Sequence, residues 1–568
     1  MIPILTASQI KAIESRAEES GYGTAYLFER VAEAVALRLI QIIGKDQDQA
    51  KITFLVGGGN NGMDAIVTAL LLKSLHPTWQ LSLYFAKQIN PEEPIYSDLV
   101  KAAIFMVIAE EDQQYRVLQN LIATSQIVVD ALLGIGVRLP LEGQIAGILQ
   151  ITQQTLRRVS NQTLLEVTGT SPIKLEKRPY ILAIDLPSGV HSDTGEVDRL
   201  TLSCDETLVL MAMKQGLILT QDAQTVSGLI SLATLGLPVH LFKQYGEGSA
   251  QFMMSSDLLF PVRKQTGHKG SFGKVLIVGG STNYIGAVGL SAKSAYRTGS
   301  GLVTVASSKG VIDALAGNLL EPTWIVLPNI MGAIANTAHT VLLSELPQYD
   351  ALLIGPGLGQ EAQTKEFLAL LLEQRSATPH LEKRGLGFLP NKVTQPISVA
   401  QEAIKQPTWV VDADGLNLLS QIENWHTALP PHTILTPHPG EMARLCNLST
   451  ASVQENRLHL AQEKAQEWNC IVLLKGAHTV IASPNGAVYL SPFKTDALST
   501  AGSGDVLAGM IVSLLAQGLD PLQATLNATY LHGMCGHLAA KQLGSTRAVI
   551  ASDLIEVIGS CYVELGLS

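Results

Sequence analysis

A chain of 568 residues that is 46% hydrophobic and only 15% charged can bury a sizeable core, which argues against wholesale disorder. At roughly 150 residues per domain the length allows about two to four domains, or two if they are large α/β units. The formal net charge of -10 disfavours nonspecific nucleic-acid binding, and no apolar run approaches the ~18 residues needed to cross a bilayer.

The first residues, M-I-P-I-L-T-A-S-Q, lack a basic segment followed by an apolar stretch, so no secretory signal is expected. Residues 25–43 have helical spacing, with Leu27, Val31, Val35, Leu39 and Ile42 near one face. Strand-like runs follow at 52–56, 81–85, 104–108, 127–130 and 180–185, mostly separated by helix-compatible segments. This alternation predicts a mainly parallel sheet with helices on both faces, a Rossmann-like doubly wound α/β domain. Residues 153–178 are polar and poorly periodic, and read as a surface insertion. Closing strands are expected at 207–213 and 229–234, and a linker at 243–256. Alternation restarts at 274–278 and continues at 302–306, 325–327, 351–354, 409–412, 434–436 and 471–474, with a second insertion at 376–406. The halves read as two separate α/β domains, 1–242 and 258–568. The five cysteines form no C-x-x-C pair, so neither a disulfide framework nor a structural zinc site is expected, and the cytoplasm is the simplest compartment.

The chemistry concentrates at strand ends. Ala501-Gly502-Ser503-Gly504-Asp505 leads into an apolar helix pattern. Two glycines there can aim backbone N–H groups at one spot suited to a phosphate, with Asp505 placed to take a proton from a hydroxyl. The same placement also fits a helix-start acid favoured by the dipole. Lys475-Gly476-Ala477-His478-Thr479, Thr436-Pro437-His438-Pro439-Gly440-Glu441 and Gly355-Pro356-Gly357-Leu358-Gly359 follow strands too. Alone, the first and third read more readily as plain turns, and the second equally as a rigid structural turn. Asp412 and Asp414 sit at another strand end, able to assist magnesium through water or to cap a helix. Their convergence is the informative feature, because open α/β sheets bind ligands at strand ends.

In the first half, Gly57-Gly58-Gly59-Asn60-Asn61-Gly62-Met63-Asp64 links a strand to a helix without the G-x-G-x-x-G spacing. Its amide oxygens, with Asp130 and Ser188 at two further strand ends, suit a hard cation, although a capped turn explains them equally. Asp185, ending an apolar strand, is a candidate acid or base, or a hydrogen-bonded structural carboxylate.

Residues from about 258 to 568 resemble the ribokinase-like family of ADP- or ATP-dependent NAD(P)H-hydrate dehydratases. The resemblance is carried by the segments above and by Val278-Gly279-Gly280-Ser281, Tyr284, Gly286, Ala287 and Arg297-Thr298-Gly299-Ser300-Gly301-Leu302-Val303. It implies that Ala287, Gly357, His438 and Asp505 contact the hydrated nicotinamide nucleotide. It also implies that Lys475, Gly476, Ala477, His478, Thr479 and Gly504 hold the adenine nucleotide, ADP in bacterial-type members, with Mg2+. Residues 1 to 240 resemble the NAD(P)H-hydrate epimerase family, with Ala12-Ile13-Glu14, Gly21, Met213-Lys214-Gln215-Gly216 and Gly228 adding to the match. That resemblance implies K+ held by Asn61, Asp130 and Ser188. It implies substrate contacts from Asn60, Asn61, Gly62, Met63, Asp64, Gly134, Ile135, Gly136, Val137, Arg138, Leu139, Pro140 and Asp185, the last as the reacting carboxylate.

Three departures stand out. Met63 and Ala65 replace usual glycines, and Gly58 a usual proline; Met63 adds bulk beside the ligand loop and is expected to bear on epimerase rate. Together the halves imply a bifunctional repair enzyme acting on NADHX and NADPHX. The alternatives are a ribokinase-type kinase of a vitamin alcohol and a binding scaffold that keeps the N-terminal fold. Large apolar α/β domains of this sort often self-associate, so a homo-oligomer is expected.

Overall fold

A computed structural model describes residues 1–45, 47–160, 178–242, 249–376 and 406–567. The chain divides into two compact units, residues 2–250 and residues 251–568 together with Met1.

The first unit is built on a seven-stranded sheet. From edge to edge it runs Phe105–Ile108, Gln80–Phe85, Lys51–Val56, Ile127–Ala131, Tyr180–Ile184, Glu206–Leu210, Leu229–Ala233, and every pairing is parallel. Both faces are covered. Ile52, Phe54 and Val56 enter one apolar core, whereas Leu55 enters another that also holds Tyr84, Val128 and Ile181. Alternate side chains on a pleated strand point to opposite faces, so a strand buried on both sides must be apolar throughout. Helix Thr24–Ile43 buries Val31, Val35 and Leu39, one residue per turn.

Three expectations need correction here. The strand expected over 207–213 stops at Leu210, where Met211 takes a φ of +66°, and Met213–Lys214 pairs separately with Ile2–Leu5. The insertion expected from residue 153 begins as the end of helix Gly143–Ser160, with Thr152 and Thr155 buried; residues 161–177 lie outside the described residues. Within the expected linker, Gln251–Phe252 is a strand paired with Val488–Leu490, and residues 243–248 lie outside the described residues.

The second unit has a larger sheet. In order it runs Thr323–Val326, Leu302–Ser307, Lys274–Val278, Ala351–Ile354, Thr408–Val411, Ile434–Leu435, Ile471–Leu474, Val480–Ala482, Val488–Leu490, Gln251–Phe252. Pairing is parallel as far as Ile471–Leu474, antiparallel through a hairpin that the sequence pattern does not announce, and parallel again between Val488–Leu490 and Gln251–Phe252. Residues 377–405, nearly all of the second expected insertion, lie outside the described residues.

Helix Ser503–Ala516 is buried on every side from Val506 onward, as a sequence apolar there except for Ser513 requires. It crosses helix Ile285–Arg297 at close range. A Cβ at Gly509 would fall 2.4 Å from the Ser291 carbonyl oxygen. The Ser291 hydroxyl donates to the Asp505 carbonyl at 3.0 Å, and that of Ser294 to Val506 at 2.7 Å. Small side chains thus fix the helix start that carries Asp505. No helix among the described residues is long and apolar enough to cross a membrane.

Candidate active sites

In the second unit a cavity of about 980 Å³ opens where the three strands ending at Val411, Leu435 and Leu474 meet the start of helix Ser503–Ala516. Asp412, 1% exposed, accepts from Lys475 Nζ and Thr436 Oγ1, both at 2.7 Å. Gly504 lies against the same ammonium, since a Cβ there would stand 3.2 Å from Lys475 Nζ. Asp505 lines the cavity beside them. Burial, then the neighbouring carboxylate of Asp412, pushes its carboxyl up to about 7, against the pull of Lys475. A carboxylate so poised can accept a proton near neutral pH.

His438 lines the cavity as the cap of helix Pro439–Cys446. Its Nδ1 accepts from Gly440 N at 3.0 Å, so its Nε2, 3.4 Å from Glu441, carries the proton of a neutral ring. Burial and the charges of Lys475 and Arg444 lower its pKa, while burial raises that of Glu441.

Lys475, Gly476, Ala477, Thr479, Gly504, His438 and Asp505 all line this cavity. His478 does not. Its ring is buried, bonds Ser491 O through Nδ1 at 3.0 Å and lies against Phe252, so the side chain turns into the core. Ala287 and Gly357 lie off this wall but against each other: a Cβ at Gly357 would be 3.1 Å from Ala287 Cβ. Asp414 holds the glycine loop, accepting from Gly359 N at 3.0 Å and Gln360 Nε2 at 2.8 Å, so of the two strand-end carboxylates only Asp412 faces the cavity. Phe493, Lys494, Thr495 and His532 join the wall from the hairpin exit and a distant helix, beyond the reach of local sequence pattern.

In the first unit a cavity of about 660 Å³ lies over Lys51–Val56 and Ile127–Ala131, the neighbouring strands at which strand order reverses. Gly57 is forced by packing, because a Cβ there would lie 1.8 Å from Leu132 O. Asn60, Asn61, Asp64, Gly134, Ile135, Gly136 and Asp185 line the cavity; Gly62, Met63, Val137, Arg138, Leu139 and Pro140 do not. Met63 packs half-buried against the apolar core instead. We expect Met63→Gly to lower the melting temperature of the full chain, since glycine in a helix costs ~1 kcal/mol and the packing is lost as well. Melting at the parent temperature would show that this packing contributes nothing.

Asn61 Nδ2 donates to Leu133 O at 3.0 Å and Ile184 O at 2.9 Å. Among the described residues no donor reaches its amide oxygen. Asp130, fully buried, accepts from Ser188 N at 2.8 Å and Ser188 Oγ at 2.6 Å; that hydroxyl in turn accepts from Leu133 N at 2.9 Å. No cationic side chain among the described residues pairs with Asp130, and burial raises its pKa. The three groups thus surround one loop turn.

Asp185 stands at the end of its strand with a φ of +69°, a costly conformation for a non-glycine residue. It accepts from Leu210 N at 3.0 Å and from the buried ammonium of Lys214, which also donates to Leu210 O at 2.6 Å. Asp64 and Glu14 face the same cavity. Burial, then Asp185 and Glu14, push Asp64 up to about 8, and burial with Asp185 raises Glu14. The Asp185–Lys214 pair is missing from the residue pattern, because the turn at Met211 that folds Lys214 back has no sequence signature.

A doubly wound domain with an acid cluster at its switch point, and in the same chain an α/β domain with a poised base and a lysine-bearing loop, define a two-site small-molecule enzyme. The family described as NAD(P)H-hydrate dehydratase matches residues 275–378 and 384–559, and that described as YjeF-related protein N-terminus matches 24–216. The bifunctional NAD(P)H-hydrate repair enzyme Nnr of Moorella thermoacetica is 32% identical, over 93% of this chain and 91% of its own. That of Escherichia coli K12 is 30% identical, over 89% and 83%. A solved ADP/ATP-dependent NAD(P)H-hydrate dehydratase from Bacillus subtilis aligns with 56% of this chain and 99% of its own at 26% identity and a TM-score of 0.44. This chain belongs to the bifunctional NAD(P)H-hydrate repair enzymes, with an epimerase and a dehydratase in one polypeptide.

Proposed function

We propose that residues 1–242 interconvert the R and S hydrates of NADH and NADPH, and that residues 258–568 dehydrate the S form at the expense of ADP, giving AMP and phosphate. The observation that carries this reading is Asp505 beside Lys475 and Asp412 in one cavity. Asp505 takes the proton of the ring hydroxyl as that oxygen attacks the terminal phosphoryl group of ADP. The C–O bond then breaks, pushed by the ring nitrogen, phosphate leaves where hydroxide would not, and the neighbouring ring carbon gives up a proton to restore the ring double bond of NAD(P)H. Lys475, Gly476, Ala477, Thr479 and Gly504 surround the nucleotide phosphates, and His438 the substrate. Ala287 and Gly357 are assigned to the hydrate on family resemblance. His478, which does not line the cavity, is assigned to the nucleotide on family resemblance alone.

Mg2+ fits beside Asp412 and Glu441, since it binds through one or two carboxylates together with substrate phosphates, and it would supply charge neutralisation to the transferring group. K+ fits Asn61, Asp130 and Ser188: neutral oxygens around a buried carboxylate that has no cationic side chain. It would fix the loop at Leu133. In the epimerase the C–O bond at that ring carbon breaks with the push of the ring nitrogen and re-forms from the other face; Asp185 handles the proton of the departing and returning oxygen while Asn60, Asn61 and Asp64 hold the substrate. All five cysteines are free thiols, Cys535 and Cys561 included at 3.6 Å, which suits the reducing cytoplasm. We expect a homo-oligomer.

The test mixes purified protein with NADH hydrate, ADP and magnesium and follows NADH absorbance. Absence of recovery with both ADP and ATP overturns the reading. The pH profile sharpens it. A base works ionised, so with Asp505 near 7 the dehydration kcat/KM should fall about tenfold per unit on the acid side and level off above. A flat profile from pH 5.5 to 8 removes Asp505 as the base.

A further inference from the structure

Arg457 opens helix Arg457–Trp468, ahead of strand Ile471–Leu474, and its guanidinium reaches the loop that leaves that strand. Nη1 donates to Ala477 O at 2.7 Å, and Nη2 to Leu474 O at 3.3 Å and Lys475 O at 3.4 Å. Gly476, with a φ of +147°, passes directly over the group. A Cβ there would stand 2.7 Å from Nη2 and 3.1 Å from Cζ. No carboxylate among the described residues pairs with this guanidinium. Burial lowers its pKa to about 10, which leaves it charged at neutral pH.

A half-buried cation bonded only to carbonyls around one loop, with its Nε buried and without a partner among the described residues, is a costly arrangement if its purpose is stability alone. Its geometric consequence lies on the opposite side of that loop. A peptide unit is planar, with its C=O and N–H pointing in opposite directions. Turning the Lys475 carbonyl toward Arg457 therefore turns the Gly476 N–H away from it. Gly476 lines the cavity, and no acceptor among the described residues takes that N–H. The same bonds hold the backbone from which the Lys475 ammonium reaches Asp412.

We propose that Arg457 is a positioning residue of the dehydratase: it clamps the 474–477 backbone so that Gly476 N–H and Lys475 meet the anionic polyphosphate of the nucleotide. It sets affinity for the phosphoryl donor and leaves the proton transfer at Asp505 alone. The inference rests on reading residues 475–479 as the nucleotide loop.

Full-length Arg457→Lys and Arg457→Gln are the decisive variants. Lysine keeps the charge and stem but cannot fork to three carbonyls; glutamine keeps one planar donor group and loses the charge. Each should raise the KM for ADP about tenfold or more, as expected for lost charge-assisted bonds, with kcat of dehydration within about threefold of the parent. Lysine should recover part of the affinity that glutamine loses. An unchanged KM for ADP in both variants, alongside Lys475→Met that raises it, overturns the role of Arg457 and leaves the nucleotide loop standing. If Lys475→Met also leaves that KM unchanged, the reading of the loop itself falls. A drop in kcat at constant KM, or a dehydratase domain that folds with neither variant, assigns Arg457 to catalysis or to structure and overturns the proposal.

Discussion

Asp505→Ala should abolish NADH recovery from its hydrate while the R and S forms continue to interconvert, because the epimerase cavity contains none of its atoms. Removing a positioned base typically costs ~10²–10⁴-fold, and hydroxide cannot leave unaided. Asp505→Asn separates chemistry from structure. Asp505 lies in the first turn of its helix, where a carboxylate contributes only ~0.3–1 kcal/mol through the helix dipole. If it were only a helix-start acid, asparagine would lower stability slightly and keep the rate. As the base, asparagine keeps the shape and loses the rate.

The sign of the stability change adds a second readout. The carboxyl of Asp505 is held near 7 in the fold against an ordinary value of 3.8. A carboxyl with a raised pKa contributes stability below its unfolded pKa and loses it as pH rises through the folded value. At pH 8 the parent therefore bears the full cost of an ionised Asp505 near Asp412, and Asp505→Asn does not. The inactive variant should melt at least as high as the parent at pH 8. A clear drop in melting temperature with activity retained would return Asp505 to a structural role.

What could be read from the sequence follows the range of the forces involved. Periodicity in Lys51–Val56 or Ile471–Leu474 reflects burial on both faces, a local property, so these strands stand out from composition alone. The strand-end loops carry their glycines for reasons local enough to leave a mark, as Gly57 does against Leu132. The hairpin Val480–Ala482 and Val488–Leu490 is short and left no such mark, so the cavity wall it supplies through Phe493 and Lys494 was invisible. Side-chain direction was equally hidden. Nothing in Lys475-Gly476-Ala477-His478-Thr479 shows that His478 turns inward onto Phe252 while its neighbours face the cavity. Arg457 escaped for the same reason: it acts on carbonyls, which carry no residue identity. Met63 read as an obstacle because it follows a ligand loop, yet one turn of helix carries its side chain to the core.

Asp185→Asn should confine rapid repair to the fraction of hydrate already in the S form. The expected trace is a fast phase whose amplitude equals that fraction, followed by a slow phase at the spontaneous rate of R/S interconversion. The substitution has a structural side effect that must be separated from it. Lys214 is fully buried and donates to Asp185 and to Leu210 O. Leaving one partner of a buried pair uncompensated typically costs ~3–5 kcal/mol. Some loss of epimerase could then arise from a loosened domain. The double variant Asp185→Asn, Lys214→Met resolves the two causes. Methionine is close in size to the lysine stem and removes the stranded charge, so most of the stability should return. If Asp185 is the reacting carboxylate, the slow phase persists in the double variant despite restored melting. If the carboxylate only anchors Lys214, restored stability brings back rapid conversion of both hydrates, and Asp64, a buried acid lining the same cavity, becomes the group to examine at the ring hydroxyl.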